Sequence, residues 1–205
     1  MKNLSDYISA CVLFYITPMN FWQGKLVRLR GVEPSDAPAF FEWNLDSEAA
    51  RSLEFVFPPV SLAQVTSWTE GESLKKLEND SFTFVIEDTG QKVVGSIRTH
   101  NCNHYNGTFS YGIHVDAGER RNGIAADAIA MVLNYYFGEL RYQKVTVTVN
   151  TDNDASIGLH EKLGFVKEGT FRRMFYSRGI YHNVHWYGLT IDEWGEAKLF
   201  RTTAE

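Results

Sequence analysis

The stretch Glu119-Arg120-Arg121-Asn122-Gly123-Ile124-Ala125-Ala126 has the composition of an anion site. A strand-like run, Phe109 to Val115, precedes it, and a helix-like run, Ile124 to Phe137, follows. In that order, the N–H groups of the first helical turn have no intrahelical partner and point at the turn. The helix dipole adds positive potential there, and Arg120 and Arg121 add formal charge. Gly123 lets a phosphate approach the backbone with no Cβ in the way. No Gly-Lys-Ser/Thr follows, so the turn is not a P-loop, and no G-x-G-x-x-G marks a dinucleotide fold. An ordinary turn with solvated arginines is the alternative that this stretch alone leaves open.

Other reactive residues are sparse. His182 and His185 form an H-x-x-H, but no further ligands stand at fitting spacing, so no metal is expected. Cys11 and Cys102 form no C-x-x-C, which argues against a disulfide framework and for a reducing, cytoplasmic setting. The net charge of −5 argues against non-specific binding to nucleic acid or an anionic membrane. It is compatible with a cationic amine as partner. With 44% hydrophobic and 22% charged residues in 205, the chain is an ordinary globular one.

The elements that position the turn read as one mixed α/β domain. A first strand spans Lys25–Arg30, and Ser35-Asp36 opens a helix carrying Phe40, Phe41 and Trp43. Ser61 and Gln64 form a capping box for a second helix reaching about Lys76. Between these helices Leu53 to Pro59 is an aromatic, proline-rich loop. Residues 81–115 read as an antiparallel meander, with Asn106-Gly107 as a hairpin signal. Beyond the turn come the helix from Ile124, a strand of alternating Val145, Val147 and Val149, and a helix capped by Asn153 or Asp152 and closed by Gly164. Strand–helix–strand order there predicts parallel neighbours with right-handed crossovers. A last strand is expected from Tyr187 to Ile191. Residues 1–18 contain a short apolar run, Ile8 to Ile16, too short to span a membrane. They are expected to be an N-terminal extension to a domain over 19–205.

Arg120-x-x-Gly123-x-Ala125 resembles the acetyl-CoA motif of the GNAT superfamily of N-acetyltransferases. Asn153-x-x-Ser156 and Glu161-Lys-Leu-Gly-Phe165 follow at the spacing of that family. Lys167-Glu-Gly169, Arg172 and Gly179-Ile-Tyr181 resemble the tail of the Rim-type ribosomal-protein and the polyamine acetyltransferases. The likeness covers about residues 22–195. It implies a GNAT-like domain with a central mixed sheet of about seven strands, splayed between the fourth and fifth, with helices on both faces. It implies acetyl-CoA as cosubstrate, no metal, and direct acetyl transfer to a primary amine, either a protein N-terminus or a small molecule. The coenzyme contacts implied are the strand edge Ile113, His114 and Val115, the turn Arg120, Arg121, Asn122, Gly123, Ile124, Ala125 and Ala126, and Asn153. Backbone N–H groups on the splayed strand would steady the oxyanion. Homodimers are common in the resembled branch.

Two departures from the family pattern bear on chemistry. The tyrosine that many members place before Glu-Lys-Leu-Gly-Phe, as proton donor to the leaving thiolate, is here His160. His160, or Ser156 one helical turn earlier, is the expected donor; a partly exposed polar residue with no role is the other reading of His160. Thr148 stands where some members carry a glutamate base, which leaves His114, Glu54, Glu42 and Glu87 as candidates. Asn183 replaces the aspartate usual in the Rim-type tail. A polyamine or an aminoglycoside-type acceptor and a non-catalytic acyl-CoA-binding module are the rival functions.

Overall fold

The computed structural model of the protein describes residues 20–52, 56 and 58–195. Among these, seven strands form one sheet: β1 Val27–Arg30, β2 Thr83–Asp88, β3 Val93–Asn103, β4 Thr108–Val115, β5 Lys144–Asn150, β6 Val166–Ser177 and β7 Ile180–Thr190, in the order β1-β2-β3-β4-β5-β7-β6. All neighbours run antiparallel except β4 and β5. The meander over 81–115 is as expected. Because β6 enters beside β7 and not beside β5, β5 ends with antiparallel β7 as its second neighbour.

Five α-helices accompany the sheet among the described residues: α1 Ala37–Leu45, α2 Ser47–Ser52, α3 Leu62–Ser73, α4 Ile124–Gly138 and α5 Asp154–Leu163, with a further helical turn over 191–195. Alternation along the strands decides which face each packs on. Phe109 of β4 stacks on Tyr136 of α4 at 4.0 Å, and Tyr111, two residues on, stacks on His160 of α5 at 6.0 Å. So α4 and α5 share one face. His114, of opposite parity, packs on Trp43 of α1 at 4.8 Å, and α1 touches α3 through Phe40 and Trp68. Those helices cover the other face.

Local chemistry explains the boundaries. Ser61 and Gln64 exchange both capping-box hydrogen bonds, and α3 ends at Ser73, short of the expected Lys76. Asn153, not Asp152, caps α5, accepting from the Ser156 N–H at 3.1 Å, and Gly164 closes it with φ of 99°. Arg178-Gly179, both at positive φ, make a two-residue turn joining β6 and β7. The final strand therefore begins at Ile180, seven residues before the expected Tyr187. The short helix α2 was not expected. The extension over 1–18 and the loop residues Leu53, Glu54, Phe55 and Phe57 lie outside the described residues. Among the described residues no helix is long and apolar enough to cross a membrane.

Candidate active site

The basic turn forms as the strand-to-helix joint that the sequence suggests. After β4, a single 3₁₀ turn over Ala117–Glu119 leads to Arg120, and Arg121 and Gly123 both take left-handed backbone, with φ of 68° and 83°. Gly123 is the N-cap of α4, and its first turn has no side-chain cap among the described residues. The N–H groups that open the helix at Ile124, Ala125 and Ala126 therefore keep their capacity for an anion. The one carboxylate in that first turn is directed elsewhere. Asp127 accepts the N–H groups of Lys25, Leu26 and Val27 at 3.3, 2.7 and 3.1 Å, tying β1 to α4. Arg120 is clamped against the strand end, its Nε donating to the Val115 carbonyl at 2.9 Å. Arg121 and Asn122 are exposed at the lip of the turn.

Beside this turn the sheet opens. β4 and β5 pair only at Thr108–Lys144, Phe109–Val145 and Ser110–Thr146. Beyond Ser110 and Thr146 the two strands separate, one still paired with β3 and the other with β7. The opening thus begins after Thr146, between the fourth and fifth strands as expected. Backbone groups alternate in direction along a strand. The Asp116 N–H donates to the Val94 carbonyl of β3, so the backbone of His114 also turns to β3, and those of Ile113 and Val115 turn into the opening. This corrects one expected contact: His114 offers the opening no main-chain group. What His114 presents is its imidazole, on the α1 face.

Two histidines flank the opening on opposite faces, His160 buried and His114 half-buried. The His114 Nε2 is buried without a hydrogen-bond partner among the described residues. Burial lowers its pKa, helped by the Arg120 charge and opposed by Asp116 and Asp46. His160 is 4% exposed, so it is not the partly exposed residue of the second reading. Burial lowers its pKa as well, against a hydrogen bond to Ser156. Its Nδ1 lies 2.7 Å from the Ser156 carbonyl, which can only accept, so the ring proton sits on Nδ1 and Nε2 carries a bare lone pair. A neutral ring in that tautomer has no proton to give from Nε2. The imidazolium donor expected at His160 is disfavoured for this physical reason. The half-buried Ser156 hydroxyl lies 3.3 Å from the same Nδ1.

Sequence reasoning missed Tyr111. It faces His160 with a fully buried hydroxyl that has no partner among the described residues, and burial raises its pKa well above the usual phenol value. Its place in the alternation of β4 was the only available signal. Of the candidate bases, Glu87 is committed to structure. Burial alone would raise its pKa, but hydrogen bonds from Arg30 and Arg28 outweigh that and lower it. Arg30 also grips Asp36 at 2.7 and 2.8 Å, joining β1 and β2 to the start of α1. Glu42 is exposed on α1, and Glu54 lies outside the described residues.

Across the opening, a cavity of about 310 Å³ lies between α2, the start of α5 and the β6–β7 tip. Arg178 bonds both carboxylate oxygens of Glu48 at 2.6 Å across it. His182 places Nδ1 2.8 Å from Asp152 and Nε2 3.1 Å from the Ser177 carbonyl, while His185 pairs with Thr170. The H-x-x-H is thus engaged in holding the hairpin.

Residues 27–166 match the family model described as an acetyltransferase (GNAT) domain. An SPbeta prophage-derived uncharacterized N-acetyltransferase of Bacillus subtilis (strain 168) is 38% identical over 175 residues, 85% of this chain and 96% of the relative. The spermidine N(1)-acetyltransferase of Escherichia coli (strain K12) is 29% identical over 101 residues, about half of each chain (49% and 54%). In fold, the chain resembles the spermidine N-acetyltransferase of Vibrio cholerae, solved with CoA and spermine. The TM-score is 0.73 at 21% identity, over 82% of this chain and 97% of that one.

Proposed function

The chain belongs to the GNAT acetyltransferase family, and from that premise we propose how its own residues carry acetyl-CoA-dependent N-acetylation. The observation that carries the reading is the opening of β4 from β5 beside the uncapped N-terminus of α4. Acetyl-CoA brings a pyrophosphate, a chain of amides and an acyl thioester. The first-turn N–H groups of α4, with Arg121 and Asn122 at the lip, suit the pyrophosphate. The main-chain groups of Ile113 and Val115 suit the amides, because strand edges left open would otherwise lose hydrogen bonds. Asn153 spends its Oδ1 on the α5 cap, which leaves its amide nitrogen for a coenzyme acceptor.

An amine attacks only when neutral. The His114 imidazole, whose pKa burial lowers, takes that proton on the α1 face of the opening. N–H groups of β4 facing the opening donate to the acyl oxygen as negative charge develops there. On the other face Ser156 donates to the departing sulfur, and neutral His160 positions that hydroxyl. Membership of an acetyltransferase family weighs against the non-catalytic module.

The acceptor is a primary amine, on a small molecule or a protein N-terminus. A polyamine is the second reading, supported by the spermidine acetyltransferase relative and by Glu48, Asp152 and Asp154 around the 310 Å³ cavity. Glu48 is compensated by Arg178, and Asp152 faces His182, which leaves little free negative charge for a polycation. A thiol-release assay with a panel of primary amines, run beside a coenzyme-binding titration, tests the function. Acetyl-CoA-dependent thiol release with at least one primary amine is expected. Tight coenzyme binding with no release for any amine would show the reading to be wrong.

A further inference from the structure

We infer that the acceptor carries one apolar group, an aryl ring or a branched alkyl chain, seated in a second pocket on the α1 face of the sheet; this rests on the acetyltransferase reading above. The pocket measures about 140 Å³ and is lined by Thr148, Phe171, Met174, Phe175, Val184 and Trp186. Strand pairing puts these residues on one face: Thr148 opposes Trp186, Asn150 opposes Val184, and Val184 opposes Phe171. Thr148 lies two residues beyond the last β4–β5 pair, so the pocket borders the opening itself. Across that opening Gly112 shares a face with His114, and a Cβ built on it would meet nothing within 4 Å.

A large bulge makes the pocket. Three residues, Arg172, Arg173 and Met174, oppose the single Asn183 between the pairs Phe171–Val184 and Phe175–His182. Asn183 holds the bulge, its Oδ1 accepting the Arg173 N–H at 2.9 Å, and the Arg173 guanidinium stacks over Tyr181 at 4.5 Å. Gly169, opposite Trp186, adds no side chain beside the indole. Met174 is left 60% exposed and Phe171 47% exposed, so both rim the pocket with apolar surface open to a ligand.

Size and chemistry select the occupant. An apolar cavity of about 150 Å³ takes one benzene ring, which matches this volume. Among the described residues its lining has no carboxylate to meet a second ammonium, so a polyamine gains nothing here. An amine joined to an apolar group by two or three carbons would place its nitrogen at the opening, on the face where His114 stands.

The test compares phenethylamine, methoxyethylamine and spermidine by thiol release, with wild-type protein and Met174→Asp. Met174 is on an exposed bulge, so the substitution does not threaten the core. Phenethylamine should show a KM at least about tenfold below that for methoxyethylamine. Met174→Asp should erase that advantage and leave the KM for acetyl-CoA unchanged. Preference for spermidine or methoxyethylamine, or a Met174→Asp protein with the wild-type preference, overturns the inference while leaving the acetyltransferase reading intact. If no amine is acetylated, the reading of function fails, and calorimetric titration with phenethylamine, in the presence of coenzyme A, decides the pocket separately. Binding that Met174→Asp removes supports the pocket; absent or unaltered binding overturns it. A dimer that Met174→Asp dissociates, with amine KM unchanged, would assign the surface to a second copy and also overturn it.

Discussion

The two faces of the sheet at the β4–β5 opening are built from different materials. On the α4–α5 face the site is main chain: an uncapped helix start, two left-handed residues, and a strand edge turned outward. On the α1–α3 face it is side chains: Trp43 against His114, and Phe171, Met174 and Trp186 around a bulge. On each face stands a histidine whose Nε2 is buried without a partner among the described residues. The difference teaches why the donor coenzyme is easier to infer than the acceptor. A backbone site depends on local conformation and shows as a motif. A side-chain site depends on which distant strands are brought together, and substitution changes its ligand without changing the fold.

Damage to one face should leave the other intact. Gly123→Trp places a bulky side chain on a left-handed residue in the turn proposed for the coenzyme. Coenzyme binding should fall by about a hundredfold or more, with the thermal melt confirming a folded protein. Unchanged affinity, read by calorimetry, would remove the turn from the coenzyme site.

On the other face, His114→Ala should lower kcat about a hundredfold, the lower end expected for losing a general base. The KM for acetyl-CoA should hold, because the His114 backbone faces β3. A fall in coenzyme affinity with kcat intact would reverse the roles of the two faces.

Two smaller effects test the scaffold of the coenzyme face. Asp127→Ala removes the carboxylate that accepts three main-chain N–H groups of Lys25 to Val27. Chemical denaturation should show a loss of about 2 kcal/mol. Asn153→Ala removes the α5 cap and should cost about 1 kcal/mol, with a modest rise in the KM for acetyl-CoA. A larger stability loss from Asn153→Ala than from Asp127→Ala would mean that the opening is held from the β5 side.

The smallest effect separates the two histidines by pH. Both have folded-state pKa values lowered by burial, so the unfolded chain binds protons that the folded chain does not. Their contribution is fully present above the unfolded value of about 6.5 and is lost as pH falls below it. The melting temperature should therefore drop as pH falls below about 6.5. His160→Phe should flatten that drop and, by loosening the Ser156 hydroxyl that the ring positions, slow transfer only modestly. A large fall in kcat for His160→Phe would restore His160 as the proton donor.

Much of the coenzyme face was legible because its signals are short-range. Gly123 must be left-handed, Asn153 caps its own helix, and Gly164 ends it, each within four residues. The capping box at Ser61 and the meander over 81–115 were readable for the same reason. The His160 role was not. Its spacing suggested a polar donor on a helix, whereas its burial against Tyr111, Phe165 and Tyr187 makes it neutral. The final strand was only half seen, since Arg178-Gly179 is not a strong turn signal and the bulge in β6 breaks the alternation.

From residues alone came the family, most of the strands and helices in order, and a strand-to-helix turn with free N–H groups, because hydrogen-bond capacity and backbone freedom belong to residues and their near neighbours. Tertiary structure alone decided which main-chain groups enter the opening, which histidine faces which side, and what lines the pocket on the α1 face. Those depend on the pairing of β4 with β3, of β5 with β7, and of β7 with a bulged β6. A one-residue change in any of these registers turns every side chain to the opposite face, and which strand lies beside which is settled by distant partners.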